Sequence, residues 1–136
     1  MKVDYVFLKS LLNEMQACES FMIKTDELIG FLYSDAKYSS EPEFMEKLYG
    51  HIFLLSDIGA VESLVGKNFG VKYSEQGLYY YGAVLRLTAR GHDFAKALND
   101  RSFFEKLKKL TIGISYELCK DILTDAARQF IFKGAL

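Results

Sequence analysis

The chain has little of the residues that mark several specialised classes of protein. Its 136 residues include one proline, two cysteines and two histidines. Such scarcity of proline excludes a proline-rich linker, and 20 tyrosines and phenylalanines favour a densely packed domain over a disordered one. Cys18 and Cys119 stand alone and far apart, so neither a disulfide framework nor a cysteine metal motif is indicated. We expect two small thiols in the core.

Long apolar runs are also absent. No stretch approaches the roughly 18 apolar residues that a transmembrane helix needs. The apolar residues near the N-terminus are interrupted by Lys9, Asn13 and Glu14, which is unlike a signal peptide. We therefore predict a cytoplasmic protein without a membrane partner. We also expect no cofactor. Its length is that of one domain, spanning residues 1–136.

Apolar spacing and capping residues predict three helices in the first 60 residues. The first covers about residues 4–18, where apolar side chains recur at helical spacing at Leu8, Leu11, Leu12 and Met15. Thr25 is placed to begin a short second helix. A third starts at the sequence Ser40-Glu41-Pro42-Glu43, which has capping-box spacing, and ends at Gly59. Its apolar face holds Phe44, Leu48, Ile52 and Leu55.

The pattern then becomes typical of strands. Val61–Val65 and Tyr79–Leu87 are rich in β-prone residues and predict a hairpin with a long, glycine-marked connection. Thr88 follows directly as the cap of another helix. Residues 101–136 are expected to form a C-terminal helical extension. One of its helices contains Phe103, Phe104, Leu107 and Leu110, and the other contains Leu118, Ile122, Ala126 and Phe130.

Three helices followed by a β-ribbon is the order of a winged helix-turn-helix. The fold class that we predict is mainly α with a small β-hairpin, a winged helix-turn-helix with additional C-terminal helices. Two segments, YGHIFLLSDIG (residues 49–59) and LTARGHDF (residues 87–94), also resemble an uncharacterised bacterial and prophage family of winged-helix proteins, a domain of unknown function. That resemblance implies the fold and a phage or prophage context, and it transfers no activity.

Patterns that carry catalysis are missing. There is no nucleophile elbow, phosphate loop or histidine metal motif. His51 falls beside the apolar face of the third helix and is expected to be a hydrogen-bonded histidine in the core or at its boundary. His92 and Asp93 are adjacent, so their side chains diverge on a helix. We therefore predict a non-enzymatic binding module.

The run Tyr79-Tyr80-Tyr81 is the most unusual aromatic feature. Alternation along a strand sends Tyr79 and Tyr81 to one face and Tyr80 to the other. We expect two of these side chains to pack against the core. At least one phenol should face solvent or a partner.

Charge is divided unevenly along the chain. Residues 1–65 hold 5 Lys or Arg and 11 Asp or Glu, a net charge of −6, whereas residues 66–136 hold 12 and 7, a net charge of +5. The third helix carries Glu43, Glu46 and Asp57 on its polar face, with only Lys47 to contact phosphate. This favours contact with DNA chiefly through the wing and the basic residues C-terminal to it. The candidate nucleic-acid or partner contacts are Lys47, Lys67, Lys72, Tyr80, Arg86 and Arg90.

Two functions remain open. One is a phage or prophage DNA-binding regulator that touches phosphate mainly through the wing. The alternative is a protein-binding modulator, a phage-encoded inhibitor of a host protein that uses the scaffold without DNA. Basic residues gathered on one surface would favour DNA, and scattered ones beside a free aromatic or acidic patch would favour a protein. The apolar last helix, with Leu118 and Ile122, also predicts a homodimer.

Overall fold

The computed structural model describes residues 1–34, 41–110 and 112. The fold is mixed α/β, and these residues form five helices with two small antiparallel sheets. The helices are α1 (Tyr5–Ala17), α2 (Thr25–Ser34), α3 (Glu41–Asp57), α4 (Ala89–Asn99) and α5 (Arg101–Leu107). The strands are β1 (Met22–Lys24), β2 (Val61–Ser63), β3 (Val71–Ser74), β4 (Gly77–Tyr80) and β5 (Val84–Leu87).

The apolar stripes predicted for the helices are confirmed as the core. In α1 the buried side chains include Leu8, Leu11, Leu12 and Met15, and in α3 they include Phe44, Leu48, Ile52 and Leu55. Asp4 begins α1, since its carboxylate accepts the backbone N–H of Phe7 at 3.0 Å. Cys18 is half-buried against this core, and Cys119 lies outside the described residues.

The end of α3 and the start of α4 are joined by one hydrogen-bonded node. Gly59, at φ 77°, ends α3: its N–H bonds Ser56 at 2.9 Å, and the Ala60 N–H bonds the Leu55 carbonyl at 2.8 Å. Thr88 caps α4 as predicted, because its hydroxyl accepts the Gly91 N–H at 3.1 Å. The same hydroxyl donates to the Gly59 carbonyl oxygen at 2.5 Å, and the Ala60 carbonyl oxygen lies 2.9 Å from it. Two helix ends are thus fixed to each other.

The three-stranded sheet has the order β1-β5-β2. The predicted pairing of the two strands is confirmed, with Val61 opposite Leu87 and Ser63 opposite Leu85. The strand β1, which pairs with the other side of β5, was not predicted. It is three residues long, and so short a segment gives no alternating pattern.

The prediction of one continuous strand over Tyr79–Leu87 is wrong. The chain leaves the sheet between β4 and β5, where Gly82 has φ 89°. The expected long connection instead contains a hairpin of its own, β3 and β4, with Val71 opposite Tyr80 and Tyr73 opposite Leu78. Gly70 lies so close to the Gly82 carbonyl that no side chain fits between them.

The predicted helix at Phe103–Leu110 is present in shortened form as α5, which Asp100 caps. The predicted last helix and the dimer contact assigned to it lie outside the described residues. Within the part of the chain that the structure describes, we find no helix with both the length and the apolar character to cross a membrane.

Candidate functional site

The outward face of α3 is acidic, as the sequence predicts. Glu46 and Asp57 are exposed on it. Lys47, the predicted cation of this helix, is held by a carboxylate: its Nζ lies 2.6 Å from Oδ2 of Asp4. The same ammonium lies over the Phe7 ring, 5.2 Å from the ring centroid. Its charge is therefore largely neutralised within the molecule.

Residues 1–4 lie along one side of α3. The Sδ atom of Met1 contacts α3 at Gly50, where a side chain would overlap it. Three residues later the backbone N–H of Asp4 donates to His51 Nε2 at 3.0 Å. The N-terminal residues thus cover part of the surface of α3 around Gly50 and His51. Sequence reasoning missed this contact, because no local pattern links residues so far apart.

His51 is the buried histidine that the sequence predicts. Its side chain has no exposed surface, and its Nδ1 lies 2.7 Å from the Lys47 carbonyl oxygen. A carbonyl only accepts and a backbone N–H only donates, so the ring is neutral with its proton on Nδ1. Burial lowers the pKa of His51, and the Lys47 ammonium adds to this, against the opposing influence of the Lys47 carbonyl and Asp4.

The hairpin β3–β4 presents apolar side chains to solvent. Tyr73 is 80% exposed, and Leu78 and Tyr79 are each 51% exposed. Tyr73 and Leu78 are cross-strand partners on one face of the hairpin, whereas Tyr79, opposite Lys72, lies on the other face. We name these three residues the hairpin surface. Tyr80, the candidate contact, turns inward and packs on Tyr49 of α3, with ring centroids 4.8 Å apart. The hairpin is anchored to α3 through this pair, so its exposed end is held beside the acidic face.

The expectation that two of the three consecutive tyrosines pack against the core is wrong. Tyr79 and Tyr81 are exposed, whereas Tyr80 is half-buried. The three side chains alternate in direction as predicted. The inward direction, however, is that of Tyr80 alone and not that of Tyr79 and Tyr81. The expectation of at least one solvent-facing phenol is confirmed.

Of the predicted basic contacts, Lys67 and Arg90 lie at one cleft, whereas Lys47 and Lys72 lie elsewhere. Arg86 pairs with Glu62 across the sheet at 2.9 Å. Lys67 lines a cleft of about 430 Å³ with Gly59 and Thr88, and Arg90 lies across Gly59 beside it. These residues are at the C-terminal end of α3. Lys72 lies apart on the hairpin, opposite Tyr79.

Other cations lie at the opposite end of α3. Lys108 and Lys109 line a groove of about 750 Å³ with Met1, Phe104 and Glu46. Since α3 has 17 residues, its two ends are about 25 Å apart. The basic residues are consequently scattered around the described surface, and the hairpin surface stands free of them except for Lys72.

Few groups in the described residues are prepared for acid–base chemistry. Burial raises the pKa of Tyr49, with the Thr25 hydroxyl opposing, and burial followed by Glu46 raises the pKa of Tyr80. Both phenols therefore stay protonated at neutral pH. Among the residues that the structure describes, no three of His, Cys, Asp and Glu come together to hold a metal ion.

A polar cleft between α1 and α4 has a structural explanation. The Asn99 side-chain amide donates to Asn13 at 2.7 Å, and Gln16 lies 3.3 Å from His92. These side chains hydrogen-bond with each other and link the two helices. The cleft is open and polar, and its groups contribute to helix packing.

Comparison with models of protein families, with curated proteins and with solved structures finds no match to this chain.

Proposed function

We propose that this protein is a non-enzymatic protein-binding module on a winged-helix scaffold, and that its partner contacts the hairpin surface and the adjoining acidic face of α3. The observation that carries the proposal is the exposure of Tyr73, Leu78 and Tyr79 at the end of a hairpin that Tyr80 anchors. Exposed aromatic and aliphatic side chains are typical of the centre of a protein interface, and these three lie within one short hairpin.

The order of elements supports the scaffold. Three helices precede a ribbon, and the hairpin lies beside the third helix, as the wing does in a winged helix. The strand β1 between α1 and α2 adds a third strand to the sheet of β2 and β5. In this interpretation α3 occupies the position of the recognition helix.

Charge favours a protein over DNA as the partner. Affinity for duplex DNA comes largely from Lys and Arg at phosphates. Here the lysine of α3 is paired with Asp4, Arg86 is paired with Glu62, and residues 1–4 cover part of the helix face. Together with the phage or prophage context that the sequence resemblance implies, this favours a modulator of a host protein.

Affinity capture from host lysate tests this proposal. We expect the wild-type chain to retain a protein both with and without nuclease treatment, and the triple variant Y73S/L78S/Y79S to lose it. Val6→Ser is the matched control, because Val6 is an equally exposed apolar residue on α1. Retention that survives the triple variant would contradict the proposed surface, and retention that nuclease abolishes would contradict a protein partner.

A DNA-binding regulator is the competing function, favoured by the position of Lys67 and Arg90 at one cleft. For the proposed module we expect no duplex DNA to be retained at physiological salt in a filter-binding assay. We also expect K67E/R90E to leave protein capture unchanged, because both side chains lie at the cleft beside Gly59, outside the hairpin surface. Salt-sensitive DNA retention that this variant abolishes would establish DNA binding instead.

A further inference from the structure

One face of the hairpin β3–β4 is packed at its base and exposed at its end. Val71 and Tyr80 form a cross-strand pair, and both are half-buried against the core. Side chains alternate along a strand, so the next pair toward the turn on this face is Tyr73 and Leu78. That pair lies about 7 Å further out, two residues along each strand. Both of its side chains are exposed. The hairpin thus extends its core-facing apolar surface beyond the contact with α3.

The positive charge of the hairpin lies on its other face. Lys72 is the only Lys or Arg of the two strands, and it pairs across them with Tyr79. Alternation directs both side chains away from the face that carries Tyr73 and Leu78. The turn beyond this pair adds a negative charge, that of Glu75. The exposed apolar pair therefore has no cation of the hairpin on its own face.

The neighbouring surface of α3 is negatively charged. Its only cation, Lys47, is held by Asp4, and its exposed charged residues are all carboxylates. Glu46 lies beside the base of the hairpin, since its charge contributes to the raised pKa of Tyr80. Within the part of the chain that the structure describes, Glu46 forms no ion pair. An apolar pair and an uncompensated carboxylate are thus close together.

This combination discriminates between the chemical classes of partner. A segment that covers Tyr73 and Leu78 brings its own flanking side chains toward Glu46. Acidic side chains or phosphate groups would be repelled there, and an uncharged segment would remove water from the carboxylate without pairing it. A Lys or Arg side chain would form a charge-assisted hydrogen bond with it. The surface is therefore complementary to a basic segment that also carries apolar residues.

We propose that the partner binds through a basic amphipathic segment, which packs apolar side chains on Tyr73 and Leu78 and places a Lys or Arg at Glu46. The inference rests on the protein-binding function proposed above and adds the chemistry of the partner. The apolar contacts form the centre of the interface, and the ion pair at its rim selects the sequence that binds.

Selection from a random peptide library displayed on phage tests this chemistry. With the wild-type chain as bait, we expect the enriched peptides to combine a net positive charge with aromatic or aliphatic side chains. The variant Y73S/L78S should not retain these peptides. Enrichment of acidic or uncharged peptides would overturn the proposal. So would a failure of the wild-type chain to enrich any peptide beyond those that Y73S/L78S enriches.

Fluorescence anisotropy with one enriched peptide, synthesised with a fluorophore, tests the role of Glu46. We expect Glu46→Lys to weaken binding at least about tenfold, because it replaces attraction by repulsion. A peptide with Glu in place of each Lys and Arg should bind Glu46→Lys better than it binds the wild-type chain. Equal binding of the enriched peptide to the wild-type chain and to Glu46→Lys would overturn the proposal.

Glu19→Lys is the matched control for the reversed charge. Glu19 is exposed and precedes β1 on the side of the sheet where β5 ends, whereas the hairpin joins the sheet where β5 begins. This variant should bind the enriched peptide as the wild-type chain does. A loss of affinity equal to that of Glu46→Lys would show that only net charge matters, and it would overturn the assigned position of the basic side chain.

The lysate experiment separates this inference from the proposed function. If the hairpin surface captures a protein and Glu46→Lys captures it equally well, the basic segment is wrong and the protein-binding function stands. If capture does not depend on the hairpin surface, the proposed function fails and this inference fails with it.

Discussion

Replacing Gly91 by alanine is expected to destabilise the fold by about 3 kcal/mol, the upper end of the range typical of overpacking. A methyl group at this position would overlap the Ala60 carbonyl oxygen and the Leu87 side chain. The carbonyl is not able to retreat easily. It accepts the Thr88 N–H at 2.9 Å and lies 2.9 Å from the Thr88 hydroxyl, and these contacts fix the end of α3 against the start of α4.

Gly30→Ala is the matched control for this substitution. Gly30 lies within α2, and nothing approaches the position of its missing Cβ. Alanine there should stabilise the protein by roughly 0.5–1 kcal/mol, since it has the higher helix propensity. Urea unfolding of the two variants measures the difference. Equal stability of the two variants would show that the chain relaxes freely around Ala60.

The node at Gly91 also shows why some of the fold could be predicted from sequence. The sequence Leu-Thr-Ala-Arg-Gly carries its own cap, because Thr88 and Gly91 meet within one helical turn. The same locality explains the correct helix end at Gly59. In contrast, β1 depends on pairing with β5, which lies about 60 residues later in the chain, and three residues alone do not reveal it.

The candidate site was less predictable because it, too, depends on contacts between residues that are far apart in the sequence. Lys47 is neutralised by Asp4, 43 positions away, and Arg86 by Glu62, 24 positions away. Because neither pair has helical spacing, the sequence did not show that these cations are paired, and both were predicted to contact phosphate or a partner. The hairpin β3–β4 was not recognised in the sequence, because the glycines around it indicated a loop. Only the folded arrangement of distant residues shows that both cations are paired with carboxylates.

The stability of the protein is expected to fall as the pH drops below about 6.5, the ordinary pKa of histidine, because of His51. The pKa of His51 is lowered in the fold by burial, so the unfolded chain takes up a proton first. Neutral His51 contributes fully to the free energy of unfolding above the pKa that histidine has in the unfolded chain. This contribution is lost as the pH falls toward the lower pKa of His51 in the folded protein. Each unit between the two pKa values corresponds to about 1.4 kcal/mol.

Protonation of the folded ring would also break its bond from the Asp4 N–H, because Nε2 would become a donor. That bond holds residues 1–4 against α3, so the N-terminal residues should be the first to detach. The protection of the Asp4 amide against hydrogen exchange should therefore fall as the pH is lowered, once the intrinsic slowing of exchange at lower pH is corrected for.

Thermal unfolding between pH 7.5 and pH 5 checks the His51 prediction against two variants. His51→Gln should be less stable at pH 7.5, since glutamine does not reproduce both hydrogen bonds, but its stability should change less with pH. His92→Gln is the control, because His92 is exposed, and it should keep the wild-type slope.

Asp4 contributes a loss of stability only below about pH 4. Its partial burial raises its pKa, but the hydrogen bonds from Lys47 and the Phe7 N–H outweigh this, so that the pKa is lowered. If His51→Gln kept the wild-type slope of stability against pH, the pH dependence would belong to other groups. The neutral His51 ring with its two hydrogen bonds would then not control how residues 1–4 lie on α3.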